Sequence, residues 1–185
     1  MLFRKKKNKI ISPLSGELIK LEKVNDPVFA QGAMGKGCAI VPESGEIFSP
    51  CQGKVTLIAP TKHCIGITSD DGIELLLHFG IDSFKTEGKG FEYCVSVNDC
   101  INPGQKLGDI DLDFFKSQQI DMTSPVIILN YKDKNIDFNI LEKRIQKGET
   151  LFEYIKWNRF DSLNWKGEKL WKKRFLLRSR TLAVL

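Results

Sequence analysis

The chain holds two histidines, His63 and His78, and both fall in one stretch, Thr61 to Asp82 (TKHCIGITSDDGIELLLHFGID). An imidazole with a reference pKa near ~6.5 is largely neutral at cellular pH and can serve as nucleophile or metal ligand. Two imidazoles supply only half of a tetrahedral zinc shell. The sequence offers no third histidine and no CxxC pair, so no intrachain metal site is expected, and no motif calls for a cofactor. The other chemistry is nucleophilic: one ring attacks phosphorus and the second donates a hydrogen bond to a phosphoryl oxygen. Phosphoryl transfer needs mainly positioning and charge stabilisation. No GxxxxGK[ST] or kinase-type glycine loop is present, and Gly35-Lys36-Gly37 is too short to count, so a phosphoryl donor would be another protein. The plain alternative is a pair of ordinary sheet histidines. It weakens if the two rings meet on one hairpin.

The elements around them suggest that they do. His63 to Thr68 has the β-branched content of a strand, and Ile73 to Phe79 is nearly all apolar, broken by Glu74. Ser69-Asp70-Asp71-Gly72 between them reads as a turn, and the whole as a β-hairpin. A two-residue loop at Asp70-Asp71 places His63 opposite His78, with Cβ atoms roughly 4.5–5.5 Å apart. A loop at Asp71-Gly72 makes them diagonal neighbours on one face. A three-residue loop is expected to separate them onto opposite faces.

A chain of 185 residues is long enough for one domain with a real core. The net charge of +5 is uneven: residues 1–9 carry five basic side chains and no acid, residues 156–185 carry a net +7, and the body, 10–155, carries −7. An acidic body argues against nucleic acid as a partner. The odd set Cys38, Cys51, Cys64, Cys94 and Cys100 fits a reducing, cytoplasmic setting. Neither a signal-peptide h-region nor an apolar run long enough to span a membrane is visible.

Residues 1–9 are expected to be a solvated basic arm, residues 10–156 the domain, and residues 157–185 a basic extension holding Trp157, Trp165 and Trp171. Both basic ends could add weak attraction to an anionic membrane surface. Inside the domain, Ile11 to Leu21 and Phe48 to Ile58 share an apolar-Ser-Pro-x-x-Gly pattern 37 residues apart. A second pair, 103–107 and 147–151, each reads as a glycine turn entering a strand. Paired repeats predict an all-β fold, an antiparallel sandwich or barrel with a duplicated motif and little helix. Short helices are predicted over Asp111 to Ile120 and Ile140 to Gln146, a strand over Thr123 to Leu129, and a polar hairpin loop over Asn130 to Asn135.

From about residue 10 to 155 the chain resembles the glucose-type enzyme IIA domain of the bacterial phosphoenolpyruvate-dependent sugar phosphotransferase system. The resemblance lies in SPLSGE (12–17), DPVFA (26–30), GKGCAIVP (35–42), SPCQGKV (49–55), TKH (61–63), GIELLLHFGID (72–82), GKGF (88–91) and TSPV (123–126). It implies a β-sandwich phosphotransferase. His78 would be the phosphorylated residue, attacking through Nε2, with His63 supporting the phosphoryl group and Thr61 orienting His63. HPr would be the donor, and the cysteine of an enzyme IIB domain the acceptor during sugar uptake. Val28, Phe29 and Leu76 would form an apolar docking collar with Asp26 and Asp82 at its rim, although ordinary core packing explains the three apolar residues equally well. The chain departs from the family pattern at Lys36, often Asp, and at Cys64, commonly Ala.

Rival readings are weaker. A lipoyl or biotinyl carrier needs a Met-Lys pair, which the sequence lacks, and a zinc peptidase of related fold needs a His-x-His pair where His78-Phe79-Gly80 stands. The alternative function is a regulatory module that binds transporters or kinases according to phosphorylation state.

Overall fold

Proline and glycine punctuate this chain, and short strands fill the intervals between them. The structure is a computed structural model and describes residues 7–134 and 136–155. Its strands are β1 (Lys7–Ile11), β2 (Gly16–Lys20), β3 (Lys36–Pro42), β4 (Glu46–Phe48), β5 (Gly53–Ile58), β6 (Cys64–Ser69) and β7 (Glu74–His78), then β8 (Phe91–Tyr93), β9 (Cys100–Ile101), β10 (Lys106–Ile110), β11 (Ser124–Ile128), β12 (Ile136–Asp137), β13 (Lys143–Ile145) and β14 (Thr150–Ile155). The α-helices are α1 (Pro27–Ala30) and α2 (Leu112–Ser117). An eight-stranded sheet runs β13-β2-β3-β11-β7-β6-β5-β9, beside two three-stranded sheets, β1-β14-β12 and β4-β10-β8. Every described pairing is antiparallel, so the expected all-β sandwich with little helix is what forms.

The duplicated motif is real in three dimensions. The two Ser-Pro turns bond to each other reciprocally: Ile11 N–H donates to Pro50 O and Phe48 N–H to Pro13 O, both at 2.9 Å. Within each turn the buried serine hydroxyl donates to the carbonyl two residues on, Ser12 to Leu14 and Ser49 to Cys51, both at 2.7 Å. Each turn also receives one of the glycine turns, Gly148 N–H on Ser12 O and Gly104 N–H on Ser49 O, both at 2.9 Å. The same three bonds therefore recur across a local pseudo-twofold. Gly16 and Gly53 occupy equivalent places, and a Cβ on either would meet a backbone oxygen at 2.0 Å (Val41) or 2.3 Å (Thr68).

The main core lies between the large sheet and the two small ones. Ile65, Ile67, Leu75, Leu77, Val126 and Ile128 of the large sheet meet Ile47, Leu107, Phe91, Ile10 and Phe152 of the others. Because side chains alternate along a strand, Leu76, Ile127, Ala39 and Cys64 point to the opposite face. There they pack with Leu21, Val24 and Phe29 from the segment holding α1. Central strands buried on both sides account for the nearly unbroken apolar runs ELLLH and SPVII.

Three local expectations change. Residues 140–146 are not helical: β13 adds an edge strand to β2, pairing Lys143 with Leu18. Asn130 to Asn135 is not a hairpin loop, because β11 pairs with β3 and β7 while β12 joins β14 in another sheet, and a 3-10 turn, Tyr131–Asp133, makes the crossing. Strand β1 begins inside the expected basic arm, with Lys9 facing Glu153. The helix expected from Asp111 is α2, capped by the Asp111 carboxylate accepting from Phe114 N at 2.8 Å. Residues 1–6 and the extension 157–185 lie outside the described residues.

Gly16→Ala and Gly53→Ala are each expected to lower stability by about 1–3 kcal/mol, since backbone rather than a flexible side chain must yield. Urea unfolding of the two variants checks whether the two halves of the duplication respond alike.

Candidate functional site

Ser69 N–H on Ile73 O at 2.9 Å closes the β6–β7 hairpin, and inside that pair the chain turns through three residues, Asp70-Asp71-Gly72. Gly72 takes the left-handed conformation such loops need, φ 72°. The resulting register puts Cys64, not His63, opposite His78. A three-residue loop was expected to part the two histidines, yet their ring centroids lie 5.0 Å apart in an edge arrangement. The expectation fails because His63 is not in a strand. It lies in the loop joining β5 to β6, where two-residue alternation does not hold.

That loop is a tight turn. Lys62 N–H bonds Ala59 O at 2.8 Å and Ala59 N–H bonds Cys64 O at 3.1 Å, with Pro60 at the position where its fixed φ suits a turn. Lys62 then adopts φ 55°, which folds His63 back over the sheet. Phe79 N–H, from the residue after His78, donates to His63 O at 2.8 Å. The Thr61 hydroxyl lies 2.6 Å from His63 Nδ1.

His78 ends β7 on the second face of the large sheet, two residues beyond Leu76. The Phe29 ring meets it edge-on at 4.8 Å. Burial, followed by repulsion from His63, pushes its pKa down from 6.5 to about 4, against an upward pull from the Asp26 carboxylate and the Gly80 backbone. Burial also lowers the His63 pKa. Both rings are thus neutral near pH 7. The buried His78 Nδ1 has no hydrogen-bond partner among the described residues, while the Gly80 backbone favours the protonated ring. Gly80 sits at φ 78°, and a Cβ there would strike Met122 Sδ at 2.7 Å, so the chain needs glycine to turn beside the ring.

The remaining expected residues divide. Phe29 and Leu76 are buried, at 6% and 7% exposure, but in the small cluster under the histidines rather than in the main core. Val28 is surface, 47% exposed. Asp26 caps α1, its carboxylate accepting from Val28 N at 2.7 Å. Asp82 stands on an exposed turn, paired with Lys85 at 2.6 Å. Phe84, absent from the sequence-based set, is 47% exposed and lies 6.1 Å from the His63 ring. The buried Ser83 holds its loop, donating to Phe79 O. The signal in the sequence was an apolar residue inside an otherwise polar turn.

The family profile described as phosphoenolpyruvate-dependent sugar phosphotransferase system, EIIA 1, matches residues 8–134. The chain belongs to this family. It is 44% identical over 142 residues to the "PTS system glucose-specific EIIA component" of Staphylococcus aureus (strain Mu50), covering 76% of this chain and 85% of that protein. It is 45% identical over 142 residues to the "PTS system glucoside-specific EIICBA component" of Staphylococcus carnosus, covering 77% of this chain and spanning only 20% of that longer protein. The glucose permease IIA from Mycoplasma capricolum superposes with a TM-score of 0.76 at 33% identity, covering 83% of this chain and 99% of that one.

The Lys36 ammonium lies over the Tyr131 ring at 5.5 Å. The Cys64 thiol is pushed up to about 11 by burial, so it stays protonated and offers no rival nucleophile beside His78. No helix among the described residues is long and apolar enough to cross a membrane.

Because the folded His78 value lies below the unfolded one, the unfolded chain takes up the extra proton between about pH 6.5 and about 4. The group's contribution to stability is therefore whole above pH 6.5 and lost as pH falls through that window. An NMR titration of the ring nitrogens is expected to show His78 protonating near pH 4. Asp26→Asn keeps a helix cap but removes the attractive charge, so it is expected to lower that midpoint further.

Proposed function

We propose that this EIIA domain carries a phosphoryl group on His78 Nε2, taking it from phospho-HPr and passing it to the cysteine of an enzyme IIB domain during sugar uptake. The observation that carries the reading is the pair of neutral rings 5.0 Å apart on an accessible apolar face. A neutral His78 with its proton on Nδ1, toward the Gly80 backbone, leaves the Nε2 lone pair free to attack. The new N–P bond forms as the bond from phosphorus to the donor breaks. Delivery reverses the logic, with a P–S bond forming as the N–P bond breaks.

His63 steadies the phosphoryl oxygens. When the Thr61 hydroxyl donates to His63 Nδ1, the ring's proton sits on Nε2 and can be donated to an equatorial oxygen. Thr61 thus selects the tautomer that the supporting role requires. The exposed Val28 and Phe84 give partners an apolar surface to dock on, and the buried Phe29 and Leu76 under the rings limit water around a labile phosphohistidine. Asp26 and Asp82 lie at the rim of that surface. The name of the S. carnosus relative, EIICBA, joins an A component to B and C components, which supports a IIB domain as acceptor. Five free cysteines suit a cytoplasmic location.

The test mixes the protein with phosphoenolpyruvate, enzyme I and HPr and follows an acid-labile phosphate. His78→Ala is expected to abolish acceptance. His63→Ala is expected to accept the group and deliver it to enzyme IIB at least about tenfold more slowly. Acceptance by His78→Ala, or undiminished delivery by His63→Ala, contradicts the assigned roles.

A further inference from the structure

Tyr93 ends β8, in a three-stranded sheet, yet its phenol reaches across to the turn that bears His63. The hydroxyl donates to the Lys62 carbonyl at 2.8 Å. Lys62 sits between Thr61 and His63 and is held at φ 55°, a left-handed conformation that L side chains other than Asn and Asp seldom adopt. A conformation of that kind persists where its surroundings fix it. The Lys62 side chain is exposed, and no described hydrogen bond or ion pair holds it. Two bonds hold its backbone: its N–H on Ala59 O and the Tyr93 hydroxyl on its carbonyl.

The peptide so held is the one that launches His63. Rotating it swings the His63 Cα–Cβ bond, and with it the ring that must keep 2.6 Å to the Thr61 hydroxyl on one side and 5.0 Å to His78 on the other. Among the described side-chain hydrogen bonds, the Tyr93 contact is the one that reaches this turn from outside it. We infer that Tyr93 is a positioning residue for phosphoryl delivery, fixing the orientation and tautomer of His63 by clamping the Lys62 carbonyl. The inference rests on the roles proposed above for His63 and His78 and extends them to a residue in another sheet. Burial holds the phenol well above its ordinary pKa, so the hydroxyl keeps its proton and remains a donor throughout the working pH range.

The full chain is assayed for acceptance from phospho-HPr and, separately, for delivery to enzyme IIB. Failure of the unsubstituted protein in either step is a failure of the proposed function and is seen before any variant is made. Given a working protein, Tyr93→Phe is expected to accept phosphate within about twofold of normal. Its delivery rate at saturating IIB is expected to fall about three- to tenfold with KM for IIB unchanged, the range set by one lost hydrogen bond. The His63 ring nitrogens are expected to move in NMR from a single Nε2-protonated form toward an average of both tautomers. Lys62→Asn supplies a residue that tolerates the left-handed turn. In that background the loss caused by Tyr93→Phe is expected to shrink to within about twofold. Normal delivery by Tyr93→Phe overturns the inference. So does an equal fall in both steps with unchanged His63 nitrogen shifts, or a loss of the same size in the Lys62→Asn background.

Discussion

One backbone hydrogen bond joins the two halves of the site: Phe79 N–H to His63 O, at 2.8 Å. It links the residue after one histidine to the other histidine itself. Strand β7 delivers His78 to the edge of the second face, and the turn before β6 folds His63 over it. Without that tie His63 would ride on a loop free to relax away from the strand that holds His78. With it, neither can move far without the other, and two neutral imidazoles stay side by side although a proton on either would be disfavoured by burial.

The fold makes such a place available by burying the middle of the large sheet on both faces. One face feeds the main core. The other carries small residues, Ala39, Ala59 and Cys64, so that Phe29 can settle over Leu76 and against His78. A histidine at the margin of this cluster is dry enough to lose its charge and open enough to be reached. The duplicated Ser-Pro and glycine turns lie outside this cluster, and their role is to fasten the small sheets to the large one.

The duplication was legible in the sequence because glycine leaves a mark: Gly16 and Gly53 stand where only a bare backbone fits. The meeting of the histidines was anticipated for a reason the structure replaces. The left-handed residue that reverses the chain before His63 is a lysine, and a lysine announces no turn, whereas glycine there would have. Residues 140–146 carry good helix formers, but an unpaired edge of β2 took residues 143–145 as a strand, the usual way tertiary context overrides local preference. Phe84 left only a faint sign, an apolar residue in a polar turn, and Tyr93 gave none, because their importance lies in contacts with residues far away in the chain. Family resemblance located Phe29 and Leu76, while only coordinates could tell the buried pair from the exposed Val28.

In the proposed function His78 carries phosphorus through Nε2 while His63 supports it without bonding to it. Nitrogen-15 and phosphorus-31 NMR of the histidine-labelled protein, phosphorylated through HPr, tests this directly. The expected spectrum couples phosphorus to His78 Nε2 alone and shifts the His63 Nε2 resonance with no phosphorus coupling. Phosphorus on His63, phosphorus on His78 Nδ1, or a His63 ring that does not respond would contradict it.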